Sequence, residues 1–407
     1  MSLEAAANLV AEQIKRQEYV EVVAHHDSDG IATGSILCYA MFRAGIHFRF
    51  RIRHEITAAE IRRENAYLLC DLGAGIEDLP KDTMVVDHHN PHFSGDYHVN
   101  PRLAGIDGDH ELSASGVAYI VAQHLGDNRD LVGLALLGLI GDGQQVLSGK
   151  NLEILNEGVG NGIITSNRGL LLPGRDMFER WLMAINPFLD GLSGNETEVN
   201  AIIEQSGGKN ALKFDQLLSM ALLKIVPHVN IDCIDEIYGD TYVMEREVIP
   251  DAHTFSSIID ACGKSGHGDI AASLCLRNSY DIDKAWEITK AHRLKVIDAI
   301  RVAETSAIRR DEVYEIEDAT VLGDLADALI CRTTNTTPIA VVANDGGICR
   351  ISARCPQDIN LDLGLVIREI ARSSGGVGGG HHNRAGATIP CKQLETFKKD
   401  WHKVVAA

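Results

Sequence analysis

Short apolar runs alternate with helix-like patterns along the first part of the chain. The runs YVEVVA (19–24), AYLLCD (66–71) and TMVVD (83–87) have the length and apolar character of buried strands. The segment HFRFRIR (47–53) alternates apolar and charged positions, which also indicates a strand. A helical pattern follows the first run and ends near Gly45. This βαβαβ-like order predicts a parallel sheet with helices on both faces.

The pattern is less regular in the rest of the chain. Residues 143–190 lack a clear period and are typical of a linker or boundary. The run GDIAASLCL (268–276) predicts a strand. The segments PIAVVAND (338–345) and GICRISAR (347–354) predict a hairpin that turns at Asp-Gly. Because a chain of 407 residues is too long for one ordinary core, we expect two or three domains.

Composition narrows the class of protein. The hydrophobic fraction of 45% is that of a globular protein, and no apolar run approaches the roughly 18 residues of a transmembrane helix, so we expect no membrane association. The nine cysteines form no C-x-x-C pair, and the N-terminal segment lacks a secretory apolar region, which favours a reduced chain in the cytoplasm. A net charge of −19 argues against binding nucleic acid mainly through a basic surface.

Acidic side chains follow three predicted strands and one later apolar run. They are Asp27 and Asp29, Asp71, Asp87 and Asp142. In a doubly wound sheet, ligands bind outside the carboxyl ends of the strands, so we expect these carboxylates to converge there. A single aspartate after a strand is often a helix cap or turn residue. The conjunction of several such positions favours a site instead.

Carboxylates that share one crevice repel each other, and divalent cations remove that repulsion. Oxygen-rich sites with one or two imidazoles suit Mn²⁺ or Mg²⁺ better than zinc. Two such ions about 3.5–4 Å apart activate a water molecule and stabilise the leaving oxygen in phosphoryl transfer. The sequence therefore predicts a two-metal centre with Mn²⁺ as the expected ion and Mg²⁺ as the alternative.

Four motifs and a C-terminal signature resemble those of a known superfamily. HHDSDG (25–30), LLCDLG (68–73), VVDHHNP (85–91) and LLGLIGDG (136–143) resemble the four motifs of DHH phosphoesterases, and GGVGGGHHNRAGATI (375–389) resembles the GGGH…AG signature of the DHHA1 domain. The layout looks most like archaeal RecJ-like proteins.

The resemblance implies an α/β architecture in two parts. Residues 1–190 would form a parallel-sheet DHH catalytic domain with helices on both faces. Residues 191–407 would form a helical connector and a smaller α/β DHHA1 domain that binds substrate. The active site would lie in a cleft between the domains.

The resemblance also implies roles for the acidic motifs. One Mn²⁺ would be bound by Asp27 and Asp71, and the second by Asp29, Asp71, His88 and Asp142, with Asp71 bridging. His25 would be an outer ligand, since Val23 stands where relatives often have a histidine.

Two further residues of the DHH triplet take part in this interpretation. His89 would contact the scissile phosphate or act as an acid near the leaving group, and Asp87 would orient His88 as carboxylates orient metal-bound histidines. These two form the predicted catalytic pair.

The glycine-rich ending predicts a substrate site. Glycines let backbone N–H groups approach a phosphate closely, and a histidine adds a donor. A flexible loop is the plainer interpretation of a bare glycine run. Arg354 resembles an arginine that relatives direct at the substrate phosphate, although an exposed charge at a strand end is equally compatible, and Arg384 stands where relatives usually have a small residue. The predicted substrate-binding residues are Arg354, Gly378, Gly379, Gly380 and His381.

These features predict a Mn²⁺-dependent phosphodiesterase, most similar to a RecJ-like exonuclease that degrades single-stranded DNA or RNA by two-metal hydrolysis. The first alternative is a small-substrate enzyme acting on very short oligonucleotides, pAp or cyclic dinucleotides, which the acidic charge favours. The second is a replication-associated scaffold, with replication or repair proteins as partners. A family II-like inorganic pyrophosphatase is disfavoured by the glycine-rich ending. The sequence does not distinguish DNA from RNA, the polarity of digestion or the oligomeric state.

Overall fold

The computed structural model divides the chain into two compact units. The first comprises residues 1–168 and 240–289, and the second residues 169–239 and 290–407. The residues that the structure describes are 1–144, 148–208, 212–305, 309–310, 313–332 and 336–405. The assignment of residues 1–190 to catalysis and 191–407 to substrate binding stays a prediction, as does the cleft between the domains.

Thirteen strands lie within the described ranges. They are β1 (Tyr19–His25), β2 (His47–Arg53), β3 (Ala66–Cys70), β4 (Met84–Val86), β5 (His98–Val99), β6 (Ile164–Leu170), β7 (Tyr238–Met244), β8 (Arg309–Arg310), β9 (Val313–Ile316), β10 (Ile339–Asp345), β11 (Ile348–Arg354), β12 (Val377–Gly380) and β13 (Arg384–Pro390).

The helices of the described ranges precede, separate and follow these strands. They are α1 (Leu3–Lys15), α2 (Ser28–Arg43), α3 (Ala114–Leu125), α4 (Val132–Gly141), α5 (Gly149–Gly160), α6 (Met177–Leu182), α7 (Glu196–Gln205), α8 (Phe214–Ile225), α9 (Ile231–Ile234), α10 (Ala252–Lys264), α11 (Gly268–Cys275), α12 (Ile282–Thr305), α13 (Leu322–Ile330), α14 (Leu363–Ser373) and α15 (Leu394–Val405).

The first unit is built on a parallel five-stranded sheet in the order β2-β1-β3-β4-β5. This confirms the predicted fold class of the N-terminal part. Strands β1, β3 and β4 lie in the interior of the sheet, and their side chains are almost all buried, which explains their continuous apolar sequences. The strand order reverses between β1 and β3, so the carboxyl ends of these strands form the topological switch point where doubly wound sheets bind ligands.

The second unit contains a mixed six-stranded sheet in the order β12-β13-β11-β10-β9-β8. The predicted hairpin is confirmed: β10 and β11 pair antiparallel, with Asp345 opposite Ile348. Its two-residue loop is Gly346-Gly347, one position later than predicted, and both glycines have the positive φ that such a turn needs. The predicted helical connector contains helices α7 to α9.

Three sequence expectations are corrected. The run 268–276 forms helix α11 rather than a strand, since a short and mostly apolar run has no period that distinguishes the two. Part of the predicted linker forms α5, β6 and α6. The expectation of a fully reduced chain is wrong, because Cys233 pairs with Cys331 and Cys349 with Cys391. These partners are 98 and 42 residues apart, a spacing that follows no recognisable motif.

Among the described residues, no helix is both long and apolar enough to cross a membrane.

Candidate metal centre

The first acidic motif forms the turn between β1 and α2. Asp27 caps α2 by accepting a hydrogen bond from the Gly30 N–H at 2.9 Å, and its other carboxylate oxygen lies 2.8 Å from His25 Nδ1. A Cβ on Gly30 would lie 2.5 Å from the His25 Cβ, so only glycine fits this tight turn. The motif thus places one carboxylate and one imidazole at the end of β1.

Asp29 lies in the first turn of α2 and is fully buried against the start of α3. Its carboxylate accepts backbone N–H bonds from Ala114 at 2.8 Å and Ser115 at 2.9 Å. Helix α4 approaches so closely that a Cβ on Gly138 would lie 2.1 Å from Asp29 Oδ1. The Asp29 side chain is therefore held rigidly between two helices.

Asp71 stands at the centre of the cluster. It follows β3 in the left-handed conformation, with φ of 55°, which is uncommon for a residue other than glycine and is found more often at functional sites. Its carboxylate oxygens lie 3.5 Å from His25 Nδ1, 3.5 Å from His88 Nε2 and 3.4 Å from His89 Nδ1. This position suits the predicted bridging role.

The DHH triplet differs in one respect from the prediction. Asp87 Oδ1 lies 2.8 Å from His89 Nδ1, while Asp87 Oδ2 accepts the Ala74 N–H at 2.8 Å. The Nδ1 atom of His88 instead meets the carbonyl oxygen of Gly108 at 2.7 Å. The prediction that Asp87 orients the His88 ring is therefore wrong, because Asp87 orients His89 and a backbone carbonyl orients His88.

Asp142 joins the cluster from the C-terminal end of α4. Its Oδ2 lies 3.2 Å from His88 Nε2, and Asp29 Oδ2 lies 3.7 Å from the same nitrogen. The structure thus brings together all the residues that the sequence singled out in the first unit. Groups whose potential ligand atoms lie within 4.8 Å of one another are His25, Asp27 and Asp71; Asp29, His88 and Asp142; and Asp71, Asp87 and His89.

The pKa values of the carboxylates in this cluster are shifted in different directions. Burial, reinforced by the charges of Asp27 and Asp29, raises the pKa of Asp71 well above its usual range, and burial together with the same two carboxylates raises the pKa of Asp142. Burial would also raise the pKa of Asp27, but the adjacent His25 imidazole holds that pKa well below its usual range. Full ionisation of the cluster therefore requires additional positive charge.

The donor set fits a divalent cation. The buried atoms Asp71 Oδ1 and Asp142 Oδ2 have no hydrogen-bond partner among the described residues, although leaving such atoms unpaired is costly. A carbonyl oxygen only accepts hydrogen bonds, so its contact with Gly108 places the proton of a neutral His88 on Nδ1. The Nε2 lone pair then faces carboxylates. Oxygen ligands with a few imidazole nitrogens suit Mn²⁺ or Mg²⁺.

Sequence reasoning missed the residues that hold the triplet in place. Asn100 donates a hydrogen bond to the His89 carbonyl oxygen at 2.9 Å, and Arg102 Nε donates to the His88 carbonyl oxygen at 2.9 Å. Gly108 supplies the carbonyl group that contacts the His88 ring. A backbone carbonyl leaves no residue-type signal, and Asn-Pro-Arg has the appearance of an ordinary turn.

The predicted substrate residues lie in the second unit, and the glycines there have several roles. Gly378 packs closely, since a Cβ would lie 3.0 Å from that of Ala371. A Cβ on Gly380 would lie 2.4 Å from the Arg384 carbonyl oxygen, whereas Gly379 has open space around its Cβ position. The His381 N–H donates to the same Arg384 carbonyl oxygen at 2.7 Å. Within the run, Val377–Gly380 form strand β12 rather than a loop.

Arg354 is buried, so its interpretation as an exposed charge is wrong. Its guanidinium binds both carboxylate oxygens of Asp327, at 2.5 and 3.1 Å, and also the Ser352 hydroxyl at 2.8 Å. Arg384 lies opposite Arg354 in the neighbouring strand, with a guanidinium nitrogen 3.2 Å from Asp327 Oδ1. Asp327 therefore forms ion pairs with two arginines at this end of the sheet.

The C-terminal part of the chain is similar to a known family. The family model of the DHHA1 domain matches residues 311–407. An uncharacterised protein of Methanocaldococcus jannaschii is 25% identical over 415 residues, which cover 95% of this chain and 93% of the relative.

Solved structures extend the likeness to the whole chain. RecJ from Thermus thermophilus in complex with Mn²⁺ matches with a TM-score of 0.62 and 16% identity over 99% of this chain, which spans 54% of that RecJ. An exonuclease RecJ bound to manganese matches with a TM-score of 0.56 and 16% identity, covering 100% of this chain and 94% of the other. CDC45 from Entamoeba histolytica matches with a TM-score of 0.62 and 12% identity, over 98% and 97% of the two chains. The predicted resemblance to the DHHA1 domain is confirmed for residues 311–407, and the whole chain shares the fold of RecJ-like proteins.

Proposed function

We propose that this protein is a metal-dependent phosphodiesterase that degrades single-stranded DNA or RNA from an end. The observation that carries this proposal is the surroundings of His88. Its Nδ1 contacts a carbonyl oxygen at 2.7 Å, and its Nε2 faces carboxylate oxygens of Asp29, Asp71 and Asp142 at 3.2–3.7 Å. A lone pair among carboxylates is repulsive unless a cation lies between them, so the arrangement is that of a metal ligand.

The ligands divide into two sets that share one carboxylate. Asp27 and Asp71, with His25 beside them, would hold one ion. Asp29, Asp71, His88 and Asp142 would hold the other. Two such ions, when bound, supply an activated water at neutral pH and neutralise charge on the phosphoryl oxygens. The chain contributes rigid ligands, because Asp27 caps α2 and Asp29 is bonded to the start of α3.

In this proposal His89 acts on the substrate and does not bind metal. Burial would lower its pKa, but the adjacent Asp87 carboxylate outweighs burial and raises the pKa of the imidazole. A protonated His89 donates a hydrogen bond to a phosphoryl oxygen or a proton to the leaving oxygen. Asp87 therefore acts through His89 as a positioning residue.

Replacing Asp87 with asparagine tests this division of roles. The variant Asp87→Asn removes the charge beside His89, so we expect kcat to fall by about 10–100-fold, as for other groups that orient a reacting residue. The affinity for Mn²⁺ should change little, because Asp87 Oδ1 contacts the His89 ring. The exposed Asp96 provides the matched control, and Asp96→Asn should retain full kcat. If Asp87→Asn loses Mn²⁺ affinity by the same factor as kcat, Asp87 is a metal ligand and not a positioning residue.

The second unit supports a nucleic-acid substrate. Arg354 is buried and bonded to Asp327, but Arg384 keeps part of its side chain exposed beside them. Together with the open space at Gly379 of β12, Arg384 suits a phosphate group. The match in fold to RecJ agrees with this interpretation. We propose the DHHA1 domain as the part that holds the nucleotide.

The small-substrate enzyme remains the second candidate. The net charge of −19 disfavours a long polyanion and favours dinucleotides, very short oligonucleotides or pAp. A scaffold without activity is disfavoured, because every predicted ligand side chain of the first unit converges at one site.

One assay separates these functions. Purified protein is incubated with Mn²⁺ and end-labelled single-stranded DNA, single-stranded RNA, dinucleotides or pAp. We expect stepwise shortening of the long strands. Cleavage of dinucleotides or pAp alone would replace the proposed function with the small-substrate alternative. Failure to hydrolyse any of them would contradict both and leave the scaffold.

A further inference from the structure

A chain of buried amide side chains lies behind the metal-facing histidine. The Gln144 amide nitrogen donates to the Gly108 carbonyl oxygen at 2.9 Å, and its amide oxygen accepts a hydrogen bond from Asn151 Nδ2 at 2.6 Å. Asn151 in turn accepts the Ser113 N–H at 3.4 Å, at the start of α3. Gln144 is 5% exposed and Asn151 is fully buried. Both amides are thus satisfied by specific partners.

The Gly108 carbonyl oxygen accepts two hydrogen bonds at once. His88 Nδ1 lies 2.7 Å away and Gln144 Nε2 lies 2.9 Å away, which matches the two lone pairs of a carbonyl oxygen. The loop at Gly108 is also pressed against the triplet, since a Cβ at this position would lie 2.3 Å from the His88 carbonyl oxygen. The direction of this carbonyl group therefore fixes the His88 ring.

We infer that Gln144 is a positioning residue that fixes the His88 imidazole through the Gly108 carbonyl group. Gln144 follows Asp142 by two residues, so the same turn presents a carboxylate to one side of His88 and holds the orienting carbonyl group on the other. Gln144 thereby couples two ligands of the same ion. This inference rests on the proposed metal-dependent function, which it extends to a residue outside the four motif aspartates and the triplet.

The variant Gln144→Met tests the inference. Methionine keeps the length of the side chain and removes both hydrogen bonds, so the Gly108 carbonyl group and the His88 ring lose their fixed direction. Titration calorimetry on the full-length chain gives a dissociation constant for each Mn²⁺ ion. We expect the larger of the two constants, that of the more weakly bound ion, to rise by about 10–100-fold. The matched control is Gln123→Met, a half-buried glutamine of α3, which should bind Mn²⁺ as the wild type does.

Kinetics distinguish positioning from general damage. We expect kcat of Gln144→Met to recover toward the wild-type value at saturating Mn²⁺, with KM for the oligonucleotide unchanged, because Gln144 is buried behind His88. Asn151→Ala provides a milder variant if Gln144→Met does not fold, and it should weaken Mn²⁺ binding in the same direction. The inference is overturned if either folded variant binds Mn²⁺ as tightly as Gln123→Met.

The calorimetry also separates this inference from the proposed function. If the wild type binds two Mn²⁺ ions and hydrolyses no phosphodiester, the proposed function fails, while the effect of Gln144→Met on binding still decides the role of Gln144. If the wild type binds no Mn²⁺, both fail.

Discussion

The variant Asp71→Asn should lose at least about a thousandfold in kcat. The Asp71 carboxylate lies within 3.5 Å of His25, His88 and His89, so in the proposed function it takes part in both ligand sets. Removing its charge weakens the binding of both ions. A thousandfold loss in rate corresponds to a loss of about 4 kcal/mol of transition-state stabilisation. The measurement is kcat on an end-labelled single strand at saturating Mn²⁺.

An unusually close control exists for this substitution. Asp78 is an exposed residue with φ of 64°, nearly the same left-handed backbone as Asp71, and asparagine tolerates that conformation. We expect Asp78→Asn to keep wild-type kcat. Without metal, Asp71→Asn should melt no lower than the wild type, because burial and neighbouring charge already raise the pKa of Asp71. Wild-type kcat in Asp71→Asn would remove Asp71 from the mechanism.

The variant Gly138→Ala should be destabilised by about 3–5 kcal/mol. An added Cβ would lie 2.1 Å from Asp29 Oδ1 and 2.2 Å from Ser115 Oγ, closer than any real Cβ contact. Relief requires α4 to shift or Asp29 to leave the Ala114 and Ser115 amides, so overpacking adds to the loss of buried hydrogen bonds. Urea unfolding of the metal-free protein measures the effect.

Gly160 provides the contrast to Gly138. It is also a helical glycine, at the end of α5, but an added Cβ there meets nothing within 4 Å. We expect Gly160→Ala to be neutral or to stabilise the protein by up to about 1 kcal/mol, since alanine favours helices. Gly138→Ala should also bind Mn²⁺ more weakly, whereas Gly160→Ala should not. Equal unfolding free energies for the two variants would show that Asp29 is not held in the way described.

Several residues of the candidate metal centre were predictable because they lie at the ends of parallel strands. Asp27, Asp71 and Asp87 each follow an apolar run, and runs of that kind align their carboxyl ends at one sheet edge. The side chains that orient these ligands were not predictable. Gly108 acts through its carbonyl group, and Gln144 acts on that group, so neither position carries a recognisable residue-type signal.

The other expectations failed where the structure depends on contacts between residues that are far apart in the sequence. The run that forms α11 is short and mostly apolar, and only its packing against the rest of the unit distinguishes a helix from a strand. Arg354 has the sequence context of a strand end, and its burial depends on Asp327, which lies 27 residues earlier. The disulfide partners likewise meet only in the folded chain.

Anomalous diffraction at the manganese edge, from crystals soaked in MnCl₂, tests the central claim most directly. We expect two peaks about 3.5–4 Å apart. Both ions should lie within bonding distance of Asp71, and only one of them within bonding distance of His88 and Asp142. A map without a peak among these side chains, or with manganese bound only elsewhere on the protein, would contradict the two-metal account.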